Sequence, residues 1–309
     1  MTALRGRRLA VYIGLCAVWG STWLVIKIGL RDLPPLTFAG LRMGLACLLL
    51  VPFALTARWN LSRREVLFVA IAGFLQIGLS YALLFIATQW IASGLAAILF
   101  ASFPIWVALF AHFLLPDEPL TVKAVAAAAL GLAGVGVIEA PALGRLVSSP
   151  GGPLAAGGTL VLGSAVVSAY ANVLNKKSLS KVPPVLNVWG QTLAGSVVLF
   201  LGAGILERGA PVAWTASALV SLAYLAIFGT ALTFAGLFWL IPKVPVAVIG
   251  TIPLVDTLIA VALGNLVLRE KLSLRILIGG AMILAGVVFA VTKKPAVVSR
   301  RPAVWGPGA

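Results

Sequence analysis

Residues 118–135 read EPLTVKAVAAAALGLAGV, and residues 270–287 read EKLSLRILIGGAMILAGV. Both open on Glu, continue through a long apolar run and close on Leu-Ala-Gly-Val, and they stand 152 positions apart. The likeness extends outward. At a shift of 149, Lys27 meets Lys176, Pro34-Pro35 meets Pro183-Pro184, Trp90 meets Trp239, Ser102 meets Thr251 and Pro104 meets Pro253. About three residues inserted late in the ninth apolar run carry the register from 149 to 152. The chain therefore reads as two copies of one unit.

Composition says what kind of unit. Of 309 residues, 61% are hydrophobic and 10% charged, and the mean hydropathy is +1.10, outside the range of soluble domains. A bilayer accepts that composition if it comes in runs of about 20 apolar residues. Such runs lie at about 9–30, 36–57, 66–88, 93–115, 122–139, 154–175, 184–206, 213–240, 245–268 and 274–292. The expected fold is an all-α integral membrane protein with ten transmembrane helices. The first repeat is 1–139, the linker 140–153, the second repeat 154–292 and the basic tail 293–309. Five is odd, so the second copy enters the membrane from the other side: the repeats are inverted. The N-terminal stretch MTALRGRRLAVYIGLCAVWGS has the basic start of a signal peptide, but its apolar run continues to Leu30 and reads as a span.

With the N-terminus in the cytoplasm, fifteen of the 23 Lys and Arg fall in cytoplasmic segments and seven on the far side, Arg42 lying within a span. This asymmetry places both termini in the cytoplasm and accounts for the net charge of +15 without nucleic acid. Cys16 and Cys47 sit inside spans, and the Cys and His count indicates no disulfide or metal framework. No cofactor is expected. An intramembrane enzyme needs a convergent set of catalytic groups, and one His with one mid-span acid does not supply it.

The segments WGSTWLVIKIGLRDLPPLTFAGLRMGLACLLL, FPIWVALFAHFLLPDEPLT and IPLVDTLIAVALGNLVLREKLSLRILIGGAMILAGV resemble the paired repeats of the drug/metabolite transporter superfamily, specifically its EamA-type permeases. The resemblance covers nearly the whole chain. It implies a ten-helix carrier of the inner membrane, an exporter of amino acids or other small metabolites including drugs, with a central cavity and with helices five and ten peripheral. Inverted halves can exchange conformations of similar energy, which is the basis of alternating access. A passive pore or facilitator and a non-transporting assembly protein are the alternative readings; proton coupling and a homodimer stay open.

Substrate sites in such folds lie near the bilayer midplane, so mid-span polar and aromatic residues are the candidates. Helix one offers Trp19, Ser21 and Trp23 beside Gly20 and Thr22, and helix three Gln76, Ser80 and Tyr81. Helix four offers Ser102 and Trp106. Helix six carries Ser168 and Asn172 in a stripe with Ser164, helix eight Thr230 beside Thr233, and helix nine Thr251 and Asp256. A hydroxyl in a span also satisfies its own helix or a neighbour, and a Trp near a span end anchors it at the interface, the reading for Trp59, Trp90, Trp189 and Trp214. Pro104 and Pro253 break the backbone ladder at matched positions and are read as hinges. Arg42 either snorkels or bonds backbone carbonyls, the latter preferred. Asp256, with Val107 as its repeat mate, receives a proton, binds a substrate amine or makes a buried hydrogen bond.

Overall fold

The computed structural model describes residues 4–91, 96, 99–116, 121–138, 140, 152–259 and 274–291. Expectations for the linker 140–153 (apart from its ends), for the ninth run beyond residue 259, including the inserted residues, and for the tail 293–309 lie outside the described residues. Ten helical elements appear among the described residues: α1 Arg7–Gly29, α2 Pro35–Thr56, α3 Arg63–Trp90, α4 Phe103–Leu114, α5 Val122–Ile138, α6 Gly152–Ser178, α7 Pro184–Leu206, α8 Ala216–Lys243, α9 Val246–Ile259 and α10 Leu274–Val291. Six of them are long and apolar enough to cross a membrane by length and composition alone.

The starts of these helices are written locally. Pro35 and Pro184 open α2 and α7, where a missing N–H costs nothing. Glu207 then satisfies the freed donors at the α2 N-terminus, accepting from Leu36 N at 2.6 Å and Thr37 N at 2.8 Å. Ser62 and Glu65 form a reciprocal capping box at the head of α3.

Helix pairing follows the duplication. Three helices pack against their own repeat mates, α2 on α7, α4 on α9 and α5 on α10, while α1 packs on α8 as α6 packs on α3. The phrase repeated in the sequence marks one of these crossings. A Cβ on Gly134 of α5 would lie 2.5 Å from the Gly279 carbonyl oxygen of α10, and one on Gly286 of α10 would lie 2.8 Å from the Ala127 carbonyl oxygen of α5. Position 134 corresponds to 286 and 127 to 279 at the shift of 152, so the two contacts are one contact seen twice. The partner number falls as the helix number rises, so the mates run antiparallel, as inverted copies must. On α2, Gly40 and Gly44 make room in the same way for Phe200 of α7.

One register differs from the sequence expectation. α3 and α8 each contain a π-helical stretch, Phe74–Leu79 and Ile227–Leu232, and these correspond at a shift of 153, not 149. Ser80 then matches Thr233, Tyr81 matches Phe234 and Phe85 matches Phe238; Trp90 matches Lys243, not Trp239. The start of α8 lies four residues farther from the start of α7 than the start of α3 lies from the start of α2, and the register returns to 149 at Ser102 and Thr251.

With this register two lysines become equivalent. Lys27 Nζ donates to the Thr88 carbonyl at 3.1 Å and the Ile91 carbonyl at 3.5 Å, tying the end of α1 to the end of α3. Its mate Lys176 donates to the carbonyl of Val244, the mate of Ile91, tying α6 to the end of α8. A cation at a helix C-terminus meets the negative end of its dipole. One such tie stands at each end of the bundle.

Candidate functional site

A cavity of about 90 Å³ lies where the two repeats meet, walled by α1, α2, α3, α6, α8, α9 and the residues leading into α4. Of the sequence candidates, Trp19 and Trp23 line it from α1, Gln76, Ser80 and Tyr81 from α3, Ser168 and Asn172 from α6, and Asp256 from α9 with Pro253 one turn before it. Thr22, Arg42, Phe100, Phe103 and Phe234 complete much of the wall. The π-helical stretch explains why α3 contributes so much. In a regular helix Gln76 and Tyr81 would point about 140° apart, but the wider π turn, closed by Ser80 N on the Leu75 carbonyl, brings Gln76, Ser80 and Tyr81 to the same wall.

The other candidates lie outside the wall, each with its polar group already engaged. Ser21 Oγ donates to the Val18 carbonyl and meets the Tyr224 hydroxyl at 2.6 Å. Ser102 accepts from Trp106 Nε1 along its own helix at 3.2 Å, and the Trp106 ring packs on an apolar cluster with Phe103, Val107, Ala165 and Ala169. Thr251 Oγ1 bonds the Val248 carbonyl and the Tyr12 hydroxyl, both at 2.7 Å. Thr230 donates to the Leu225 carbonyl and accepts from Arg42. Pro104 packs on Gly250 of α9, away from the cavity. The helix breaks stand at matched places: Ser102 precedes α4 with Pro104 in its first turn, and a turn at Thr251 precedes Pro253 in α9.

Two seams flank the cavity. At the α3–α6 seam, Gln76 Nε2 donates to Ser168 Oγ at 2.7 Å, Asn172 Nδ2 donates to Gln76 Oε1 at 2.8 Å and to the Ser168 carbonyl at 2.9 Å, and the Ser80 and Ser164 hydroxyls meet at 2.9 Å. The polar stripe read on α6 is thus the complement of α3. Symmetry maps Ser168 to Trp19, Asn172 to Trp23 and Gln76 to Gly229, and the chemistry changes completely. At the α1–α8 seam, Trp19 Nε1 donates to the Gly229 carbonyl at 3.2 Å, and Trp19 meets Phe234 edge to face, centroids 5.6 Å apart.

Arg42 occupies this second seam. The side chain is 1% exposed; Nε donates to Thr230 Oγ1 and Nη2 to the Gly229 carbonyl, each at 2.8 Å, and the guanidinium carbon stands 5.1 Å from the centre of the Tyr81 ring. The carbonyl-bonded reading holds and snorkelling does not. Gly229 makes room here: a Cβ would stand 3.0 Å from Arg42 Nη2 and 3.1 Å from Thr22 Cγ2, so both would have to give by a few tenths of an ångström. The mate of Arg42 is Gln191, buried against Asn175 and Asn187. Asp256 is 5% exposed, with Trp23 and Thr257 as the polar side chains against it. Among the described residues neither charge pairs with the other or with any other ionic group. That Arg42 faces the cavity was missed in the sequence; its place on α2 was visible, its direction was not. No group of three or more potential metal ligands occurs among the described residues.

Trp59, Trp90 and Trp214 are exposed near helix ends, while Trp189 is half-buried against Trp59, ring centroids 5.3 Å apart. Cys16 and Cys47 are buried and unbridged.

Comparison with known proteins agrees with this architecture. The uncharacterized transporter YvbV of Bacillus subtilis is 31% identical over 91% of this chain and 90% of its own. The uncharacterized inner membrane transporter YedA of Escherichia coli is 29% identical over 87% of the chain and 84% of its own. A protein of Salmonella typhimurium described as a probable amino-acid metabolite efflux pump is 29% identical over 89% of the chain and 91% of its own. A solved crystal structure superposes with a TM-score of 0.76 over 93% of this chain and 98% of its own at 18% identity, which shows the shared fold. The EamA-like transporter family matches residues 8–139 and again 155–292, one match for each set of five helices. The chain belongs to the EamA-like transporter family and is a multi-pass membrane transporter.

Proposed function

We propose that this protein exports small amino-acid-type metabolites across the inner membrane by alternating access, with both termini in the cytoplasm. The observation that carries the reading is the placement of one small cavity between antiparallel repeats, walled by residues of both. A site so built changes the side from which it is reached when one repeat rocks against the other. The aromatic wall of Trp19, Tyr81, Phe100, Phe103 and Phe234 suits an apolar side chain, and the amide and hydroxyl groups of Gln76, Ser80, Ser168 and Asn172 supply orientation. The matched breaks before Pro104 and Pro253 are the pivots of this motion, and the lysine ties at opposite ends are released in turn. The relatives named as an amino-acid metabolite efflux pump and as an inner membrane transporter favour the cargo class and the location; the excess of Lys and Arg in the assigned cytoplasmic segments favours the orientation.

The test is counterflow in liposomes holding the purified protein. Saturable uptake of a labelled neutral amino acid, accelerated by the same amino acid loaded inside, is the expected result. Linear, non-saturating flux without such acceleration would identify a passive facilitator, and no flux of any metabolite would remove the transport reading.

A further inference from the structure

Arg42 and Asp256 face the same cavity and are not partners of each other. Within a membrane-spanning bundle a solitary charge is costly, and such charges persist where a ligand or a partner meets them. We infer that the cavity recognises a zwitterion, taking its carboxylate on the Arg42 guanidinium and its ammonium on the Asp256 carboxylate. The inference rests on the transport reading above and names the chemistry that the cargo must carry.

The geometry of Arg42 decides which group it takes. Nε and Nη2 lie on one edge of the planar guanidinium, and the protein occupies that edge with Thr230 Oγ1 and the Gly229 carbonyl. These two bonds fix the plane, and the Tyr81 ring stands against the group. The outer edge carries the Nη1 donors and the second Nη2 donor, the Tyr81 hydroxyl being the further polar group set against the guanidinium, and two parallel N–H groups at an edge match the two oxygens of a carboxylate. Lysine would supply the charge without the fork. The repeat mate Gln191 takes no such part: its amide is turned into Asn175 and Asn187. Only one of the two symmetric positions carries an anion receptor, so the cargo is bound in one orientation although the scaffold is symmetric.

The opposite pole is an acceptor region. Asp256 stands on the Trp23 side of α1, whereas Arg42 and Gly229 stand on the Thr22 side, so the two charges flank the cavity from different sides of α1. On the α6 wall, Asn172 commits both Nδ2 hydrogens, to Gln76 Oε1 and to the Ser168 carbonyl, so its amide orientation is set by the network. Its Oδ1 is buried with no hydrogen-bond partner among the described residues. An unmatched acceptor costs about 1–3 kcal/mol in a buried site, and an ammonium, with three donors, can serve both a carboxylate and an amide oxygen. Between the poles the wall is mainly aromatic and apolar, its amide and hydroxyl groups Gln76, Ser80 and Ser168 bonded at the α3–α6 seam, which favours an uncharged side chain.

The proposal is tested by binding as well as transport. Probes are phenylalanine, leucine and threonine, each beside the amine that lacks the carboxylate and the acid that lacks the amine. Affinity is measured by titration calorimetry on the purified full chain, with flux measured in liposomes. At least one zwitterion is expected to bind, and each of its one-charge analogues to bind about 30-fold or more weakly, the factor expected for leaving one buried charge unmatched. Arg42→Gln, which installs the group of the mate position, is expected to lose the preference over the amine and keep the preference over the acid; Asp256→Asn is expected to do the reverse. Should either variant fail to fold, Arg42→Lys and Asn172→Leu, each checked by its melting temperature, replace them: Arg42→Lys should lose most of the preference over the amine, and Asn172→Leu part of the preference over the acid. Equal binding of a zwitterion and its one-charge analogues overturns the proposal, as does unchanged discrimination in folded variants. Failure of every zwitterion to bind also overturns it, while saturable counterflow of another metabolite would leave the carrier reading standing.

Discussion

Gly134→Ala tests whether the repeated Leu-Ala-Gly-Val phrase is a crossing point. The added Cβ would lie 2.5 Å from the Gly279 carbonyl oxygen and 2.9 Å from Met282 Cβ. A carbon against a carbonyl oxygen settles at about 3.3–3.6 Å, so α5 and α10 must part locally by roughly 1 Å. The nearest atom is a backbone oxygen and the next a Cβ, neither of which can swing aside on its own, and overpacking of this kind costs about 1–3 kcal/mol. Against that stands the gain of about 0.5–1 kcal/mol that alanine brings to any helix interior over glycine. Gly14→Ala isolates this gain, because nothing among the described residues lies within 4 Å of a Cβ built there. The expected order of stability is Gly14→Ala above the parent and Gly134→Ala below it. Gly286→Ala should resemble Gly134→Ala, since its Cβ would meet the Ala127 carbonyl at 2.8 Å and the Gly131 nitrogen at 3.0 Å. The assay is denaturant unfolding of the purified protein in detergent, followed by tryptophan fluorescence. A Gly134→Ala protein as stable as Gly14→Ala would refute the crossing and, with it, the antiparallel pairing of α5 and α10.

Lys27→Met and Lys176→Met should each destabilise the protein by about 1–3 kcal/mol through loss of a charge-assisted carbonyl bond. In a background without the native cysteines, a cysteine placed at Ser80 should then react faster with an impermeant thiol reagent from the α1 C-terminal side for Lys27→Met and from the opposite side for Lys176→Met; equal acceleration from one side for both would contradict the symmetric ties. Trp19→Ala should change affinity or selectivity, because the ring lines the cavity, whereas Trp106→Ala should cost stability, by about 3–5 kcal/mol, with selectivity unchanged in the folded fraction. A reporter active only in the periplasm, fused after Ala309, should be silent; activity there would reverse the orientation.

Much of this protein was legible in the linear order of residues. Runs of apolar side chains long enough to span a bilayer, and a phrase repeated after an odd number of them, determine ten helices in two inverted sets, because span length and parity need no knowledge of contacts. Candidate polar groups were legible too, since a mid-span hydroxyl, amide or carboxylate stands out against lipid-compatible neighbours. Their directions were not. Residues Gln76 and Tyr81 share a wall only because α3 carries a π-helical turn, which depends on backbone hydrogen bonds that residue types do not specify; Trp90 fails to match Trp239 because four extra residues before α8 displace it, a shift that shows only once the π-helical stretches fix the register. Trp19 and Trp106 look alike in sequence, yet one reaches the Gly229 carbonyl across the seam and the other closes on Ser102 of its own helix. Arg42 showed its depth in the span, but its role waited on a glycine 187 positions away, whose missing side chain leaves space for a guanidinium. Local pattern determined the scaffold, because helices and spans are decided by near neighbours and solvent. Tertiary structure decided the cavity, because a binding wall is made where distant helices meet.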